Sequence, residues 1–116
     1  MLNPFYIGVS MEILCTINDQ IAYLKINGSI TNENHQLLQE KLDEVLESKA
    51  KKLEIDFVEC HTINSMGIGK LISFYKDFSE KGNEVEIVKC SAHIYELFMS
   101  IKLNQLISIS LEDEEE

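Results

Sequence analysis

The sequence predicts an α/β fold: a single mixed, largely parallel β-sheet with amphipathic helices packed mainly on one face. Three observations carry that prediction. Short apolar runs bounded by turn residues alternate with stretches whose apolar residues recur at helical spacing. The resulting order is strand, strand, helix, strand, helix, strand, helix, strand, and its β-α-β steps imply parallel neighbours with right-handed crossovers. The chain has 116 residues, of which 45% are apolar, which suits one domain with one core.

Residues 12–16 and 21–27 read as two strands joined by a tight turn at Asn18-Asp19-Gln20. Ala22, Leu24 and Ile26 form one apolar face, and the apolar content of the run predicts a sheet buried on much of both sides. Gly28-Ser29-Ile30-Thr31 is expected to leave the sheet. Thr31 or Asn32 is the expected cap of the first helix, with Glu33 in its first turn. Leu37, Leu38, Leu42, Val45 and Leu46 form the buried stripe of that helix through about Glu47. Ser48-Lys49-Ala50-Lys51 ends it, with cations near the negative helix terminus.

Residues 52–57 form the third strand, and 58–63 are expected to be a loop. Ile68, Leu71, Ile72 and Tyr75 then predict a second helix that runs to about Lys81 and is terminated by Gly82-Asn83. Residues 84–90 form a fourth strand with Val85, Ile87 and Val88 apolar. Ser91 caps a third helix with Ile94, Leu97, Phe98 and Ile101 along one face. Residues 106–110 are a short last strand or the start of a further helix. There is no internal repeat. Residues 1–10 are expected to be an N-terminal extension, 11–110 the domain, and 111–116 an acidic tail that is solvated.

Composition narrows the function classes. A net charge of −10 argues against nucleic acid and anionic membrane surfaces as main partners. No apolar run approaches the roughly 20 residues of a membrane helix, and the first ten residues make a poor signal peptide. Cys15, Cys60 and Cys90 stand far apart with no CxxC and no His/Cys pair at metal-ligand spacing. An odd set of three excludes a full disulfide framework and fits a reducing cytosol. No metal or cofactor is expected.

The run Ile63-Asn64-Ser65-Met66-Gly67-Ile68-Gly69 follows a strand and opens a helix. Asn64 or Ser65 therefore sits at or near an N-cap, and Gly67 and Gly69 keep the first turn narrow. A serine hydroxyl there is accessible, and the free N–H groups of a first turn favour an anion. Serine is also a favoured cap on structural grounds alone, worth typically ~1 kcal/mol over alanine. The two glycines lack the Lys-Ser/Thr of a phosphate loop. Asp56 has no second acid or histidine beside it and reads as a hydrogen-bonding residue at a strand end. His35, His61 and His93 are scattered. His61 lies near Ser65, but nothing in the sequence supplies the third group and oxyanion site of a nucleophilic pair.

These residues resemble the STAS domain, a family found in bacterial anti-sigma-factor antagonists and in the tails of anion transporters. The likeness runs from Glu12 to Ser110. It is strongest at Gly28-Ser29-Ile30-Thr31, at Leu53-Glu54-Ile55-Asp56, at Asn64-Ser65-Met66-Gly67-Ile68-Gly69, and from Glu84 through Cys90 into Ser91, Leu97 and Phe98. The resemblance implies that Ser65 is the phosphorylatable serine at the start of the second helix. It implies that Asn64, Met66, Gly67, Ile68 and Gly69 bind the partner, an anti-sigma factor that is also a serine kinase of the GHKL type. Phosphorylation would break that complex and a phosphatase restore it, so the chain itself is not an enzyme. The family usually carries Asp-Ser-Ser or Asp-Ser-Ala here. Asn64 removes the acid while keeping a capping oxygen, and Met66 is larger than the usual small residue. Two other classes stay open: a scaffold without a phosphoserine switch, and a small-ligand or nucleotide-binding module.

Overall fold

The computed structural model describes residues 11–112. The strands are β1 (Glu12–Asn18), β2 (Ile21–Ile30), β3 (Lys52–Phe57), β4 (Cys60–Ile63), β5 (Glu84–Cys90) and β6 (Ser108–Leu111). The helices are α1 (His35–Glu47), α2 (Ser65–Glu80) and α3 (Ala92–Ser100), and a 3-10 turn at Leu103–Gln105 precedes β6. The sheet order is β1-β2-β3-β5-β6, with β4 paired to the far end of β2. Only the β1–β2 pair is antiparallel among these strands; the other pairings are parallel. The N-terminal extension (1–10) and most of the acidic tail (113–116) lie outside the described residues. Leu111 ends β6, so the last strand runs one residue into the segment expected to be tail.

One face of the sheet is the core. Ala22, Leu24, Ile26, Leu53, Ile55, Phe57 and Ile87 are all fully buried there. Leu38, Leu42 and Val45 of α1 cover it, as the predicted stripe requires. In α2 the buried residues are Gly67, Leu71, Phe74 and Phe78, while Ile68, Ile72 and Tyr75 sit at the margin of the contact. The core-facing line is thus one step round the helix from the one the spacing suggests. Ile94 and Phe98 of α3 are buried, and Phe98 meets Phe57 edge-on with ring centroids 5.3 Å apart. Ile101 falls beyond α3, at its C-cap, and is exposed.

The opposite face corrects the expectation of a sheet buried on both sides. Tyr23, Lys25, Lys52, Glu54 and Glu86 lie on it, all partly exposed. Lys52 Nζ reaches Glu86 Oε1 at 3.1 Å and Glu54 Oε2 at 3.6 Å. Apolar residues outnumber polar ones in β2 because its core face is continuous, while its other positions carry only partial burial.

Two further expectations are overturned at one place. β2 does not leave the sheet at Gly28; it continues to Ile30. There it changes partners, because Gly28 pairs with Cys60 and Ile30 with Ile63 in β4, inside the stretch expected to be a loop. Gly28 adopts φ 109°, a conformation that glycine reaches without a Cβ penalty, and the register shifts beside it. The cap of α1 also differs. Thr31 precedes a turn formed by Asn32, Glu33 and Asn34, Asn34 takes the N-cap position, and α1 begins at His35, so Glu33 lies outside the first helical turn. The Asn34 side chain is occupied elsewhere: its Oδ1 accepts from Thr31 N at 2.8 Å and its Nδ2 donates to Ser29 O at 2.9 Å. The last turn of α1 holds no basic residue, and a cation comes from the C-cap of α2 instead, Lys81 Nζ donating to Leu46 O at 3.4 Å. The α2 terminus is as expected: Gly82 at φ 82° and Asn83 send their N–H groups back to Ser79 O and Phe78 O.

Candidate functional site

The Ser65 turn is built where β4 ends. Asn64 N donates to Ile30 O at 3.1 Å, which fixes the chain to the end of β2 before α2 starts. Asn64 has extended backbone (φ −83°, ψ 175°) and is the N-cap: its Oδ1 accepts from Gly67 N at 2.9 Å. The first intrahelical bond runs from Ile68 N to Asn64 O at 3.0 Å. Ser65 is therefore the first helical residue, not the cap, and it is exposed. The N–H groups of Ser65 and Met66 have no partner within the helix, so they point a partial positive charge outward beside the hydroxyl.

Three neighbours shape the surface. Met66 is 49% exposed, an apolar thioether standing free beside the serine. Gly67 is buried, and a Cβ there would come within 2.8 Å of both Ile30 Cγ2 and Ile63 Cγ1. The missing side chain lets the helix start sit against the junction of β2 and β4. Gly69 differs: a Cβ there would meet nothing within 4 Å. Ile68 is half-buried and packs on the core. The structure thus gathers Asn64, Ser65, Met66 and Gly69 on or near one surface, with Gly67 and Ile68 turned inward beneath it.

Sequence reasoning missed one participant. Asn32, in the loop before α1, accepts from Asn64 Nδ2 at 3.0 Å through its Oδ1. No sequence signal marks that contact, because it joins segments 32 residues apart. Asn32 had a local explanation as a cap that concealed it.

Asp56 has the structural role its isolation predicts. It is 2% exposed, accepts from Tyr23 Oη at 2.8 Å and from Val58 N at 2.9 Å, and has Lys89 Nζ 3.8 Å away. The register of β3 against β5 skips Val88, and that irregularity puts Lys89 opposite Asp56. Tyr23 is pushed up to about 12, by burial first and then by the Asp56 hydrogen bond and charge. His61 is exposed on β4, and among the described residues no histidine ring hydrogen-bonds the Ser65 hydroxyl. Nor does any group of three His, Cys, Asp or Glu side chains among the described residues converge to hold a metal ion. The cysteines are free thiols; burial pushes Cys60 up to about 12 and Cys90 up to about 11, which keeps both thiols protonated at neutral pH. Among the described residues, no helix is long and apolar enough to cross a membrane. A depression of about 890 Å³ lies at the hairpin end of β1 and β2, lined by Thr16, Asn18, Ile21, Tyr23 and Lys49 among others, away from the Ser65 turn.

The STAS domain family model matches residues 12–116. No curated protein matches the sequence. Solved structures share the fold at low identity. An anti-sigma factor antagonist from Mycobacterium paratuberculosis superposes with a TM-score of 0.78 at 17% identity, covering 86% of this chain and 85% of that one. The anti-sigma factor antagonist SpoIIAA of Bacillus, in its unphosphorylated form, gives 0.74 at 9% identity over 90% of each chain. The STAS domain of a SulP transporter from Vibrio cholerae gives 0.60 at 12% identity, covering 83% of this chain and 77% of that one.

Proposed function

The chain belongs to the STAS domain family, and from that premise we propose that it is a regulator of the anti-sigma-factor-antagonist kind, switched by phosphate on Ser65. Unphosphorylated, it docks on an anti-sigma factor that is also a serine kinase of the GHKL type, and the sigma factor is released. Ser65, Met66 and Gly69 present the contact surface, while Asn64, Gly67 and Ile68 set its shape. The kinase moves the γ-phosphoryl of ATP onto Ser65 Oγ, and a phosphatase removes it. ATP and the chemistry belong to the partners, and the chain itself is not an enzyme. Its three free thiols suit a reducing cytoplasm.

The observation that carries this reading is the division of labour at the turn. Asn64 caps the helix, so the exposed Ser65 hydroxyl has no structural duty. Phosphate there adds about −1.5 to −2 charge where a partner must dock, by like-charge repulsion or by bulk. A loss of ~2–3 kcal/mol weakens binding roughly thirty- to hundredfold, enough to exchange partners.

The test is incubation with the GHKL kinase of the same organism and ATP, with the phosphate mapped by mass spectrometry. Phosphate on Ser65, loss of binding by Ser65→Asp, and unreleasable binding by Ser65→Ala are the expected outcomes. One observation favours a second reading, a constitutive scaffold: Asn64 stands where the family has an acid, leaving the hydroxyl without a neighbouring carboxylate. Equal partner binding by wild type and both variants would select it.

A further inference from the structure

The contact between Asn32 and Asn64 has a chemical logic of its own. Capping α2 requires only an acceptor at position 64, directed at Gly67 N. A carboxylate supplies that and brings no hydrogen to place. An amide brings an NH2 as well. Asn32 Oδ1 receives one of those hydrogens at 3.0 Å. The Asn32 side chain is not needed to hold its own turn, since Asn34 bonds Thr31 N and Ser29 O and His35 N bonds Thr31 O.

We propose that Asn32 is a positioning residue for the Ser65 turn. By accepting from Asn64 Nδ2 it fixes which way that amide faces. The carbonyl oxygen stays on Gly67 N, and the first turn of α2 stays closed with the Ser65 hydroxyl outside it. Asn32 is thus the residue that makes an amide workable at position 64. The functional weight of this rests on Ser65 being the modified residue, but the geometry is testable without any partner.

A direct bond between two side chains requires that at least one of them donate. Asn32→Asp keeps an acceptor for the Asn64 amide. Asn64→Asp keeps the cap, and Asn32 turns its own amide to donate. The combined Asn32→Asp/Asn64→Asp variant sets two acceptors against each other. Asn32→Ala removes the acceptor.

The experiment is amide hydrogen exchange at Gly67 by NMR on the full chain, with circular dichroism to confirm that every variant is folded. Asn32→Ala is expected to speed Gly67 exchange about threefold, in line with one modest hydrogen bond lost. Either single Asp variant stays within about twofold of wild type, and the double variant exchanges at least as fast as Asn32→Ala. Unchanged exchange in Asn32→Ala, or a double variant that equals the sum of its singles, overturns the proposal. Neither result bears on whether a kinase phosphorylates Ser65, and an unphosphorylated Ser65 would leave this pattern intact.

Discussion

Asp56 and Ser65 are both polar residues near strand ends, and the fold treats them in opposite ways. Asp56 is buried, with both carboxylate oxygens engaged by Tyr23, Val58 and the nearby Lys89. Ser65 is exposed, and its neighbour Asn64 does the capping. A buried, fully partnered polar group is committed to stability, since removing it strands its partners in a medium that cannot solvate them. An exposed group beside unpaired N–H groups is free to be changed.

The contrast is broken most directly at Asp56. Asp56→Ala leaves Tyr23 Oη and Val58 N–H without their acceptor and is expected to cost about 2–4 kcal/mol in urea unfolding. If Asp56→Ala unfolds at the wild-type midpoint, the carboxylate is not the anchor described here. The glycines give the next largest effect. Gly67→Ala drives a methyl into Ile30 and Ile63 and is expected to destabilise by roughly 1–3 kcal/mol. Gly69→Ala meets open space and is expected to stabilise by about 0.5–1 kcal/mol through helix propensity. Thermal melts of the pair, moving in opposite directions, check both. The smallest stability effect belongs to the proposed switch. Ser65→Asp places a negative charge at a helix start and is expected to raise stability by about 0.3–1 kcal/mol at low salt, even as it abolishes docking. A variant that lost binding because it lost structure would melt lower instead.

The Asp56 site also has a pH signature. Tyr23 ionises at about 12 in the folded chain against an ordinary value of 10, so the folded state holds its phenol proton more tightly. The stability this gives is complete below pH 10 and disappears as pH climbs to about 12. Tyr23→Phe is expected to flatten that alkaline decline in urea titrations, whereas Ser65→Ala leaves its shape unchanged.

The sheet and helices were legible because each carries its own local period. The stripe of Leu38, Leu42 and Val45 and the face of Ala22, Leu24 and Ile26 need no distant information to be read. What escaped the sequence is what depends on partners far along the chain. β4 is four residues long and has only Cys60 and Ile63 buried, so it lacks the alternation of a strand; its identity comes from Gly28 and Ile30. The Gly28-Ser29 pair reads as an exit, yet the positive φ of Gly28 accompanies a change of partner within one continuing strand. The apolar count of β2 does not distinguish one buried face from two, and only the structure shows that its alternate positions are partly exposed. At the candidate site, Asn64 as cap and Ser65 beside it follow from strand-to-helix spacing. The Asn32 contact does not, because an exposed hydrogen bond between distant loops leaves no periodic trace.

Since the helix cap and the hydroxyl sit on adjacent residues rather than on one, inheritance can act on them separately. A lineage can lose the serine, or regain it, by altering one codon while the protein stays properly folded throughout. Under the proposed switch, responsiveness is gained or lost without touching the side chain that caps α2, so chains that differ in it can share one architecture.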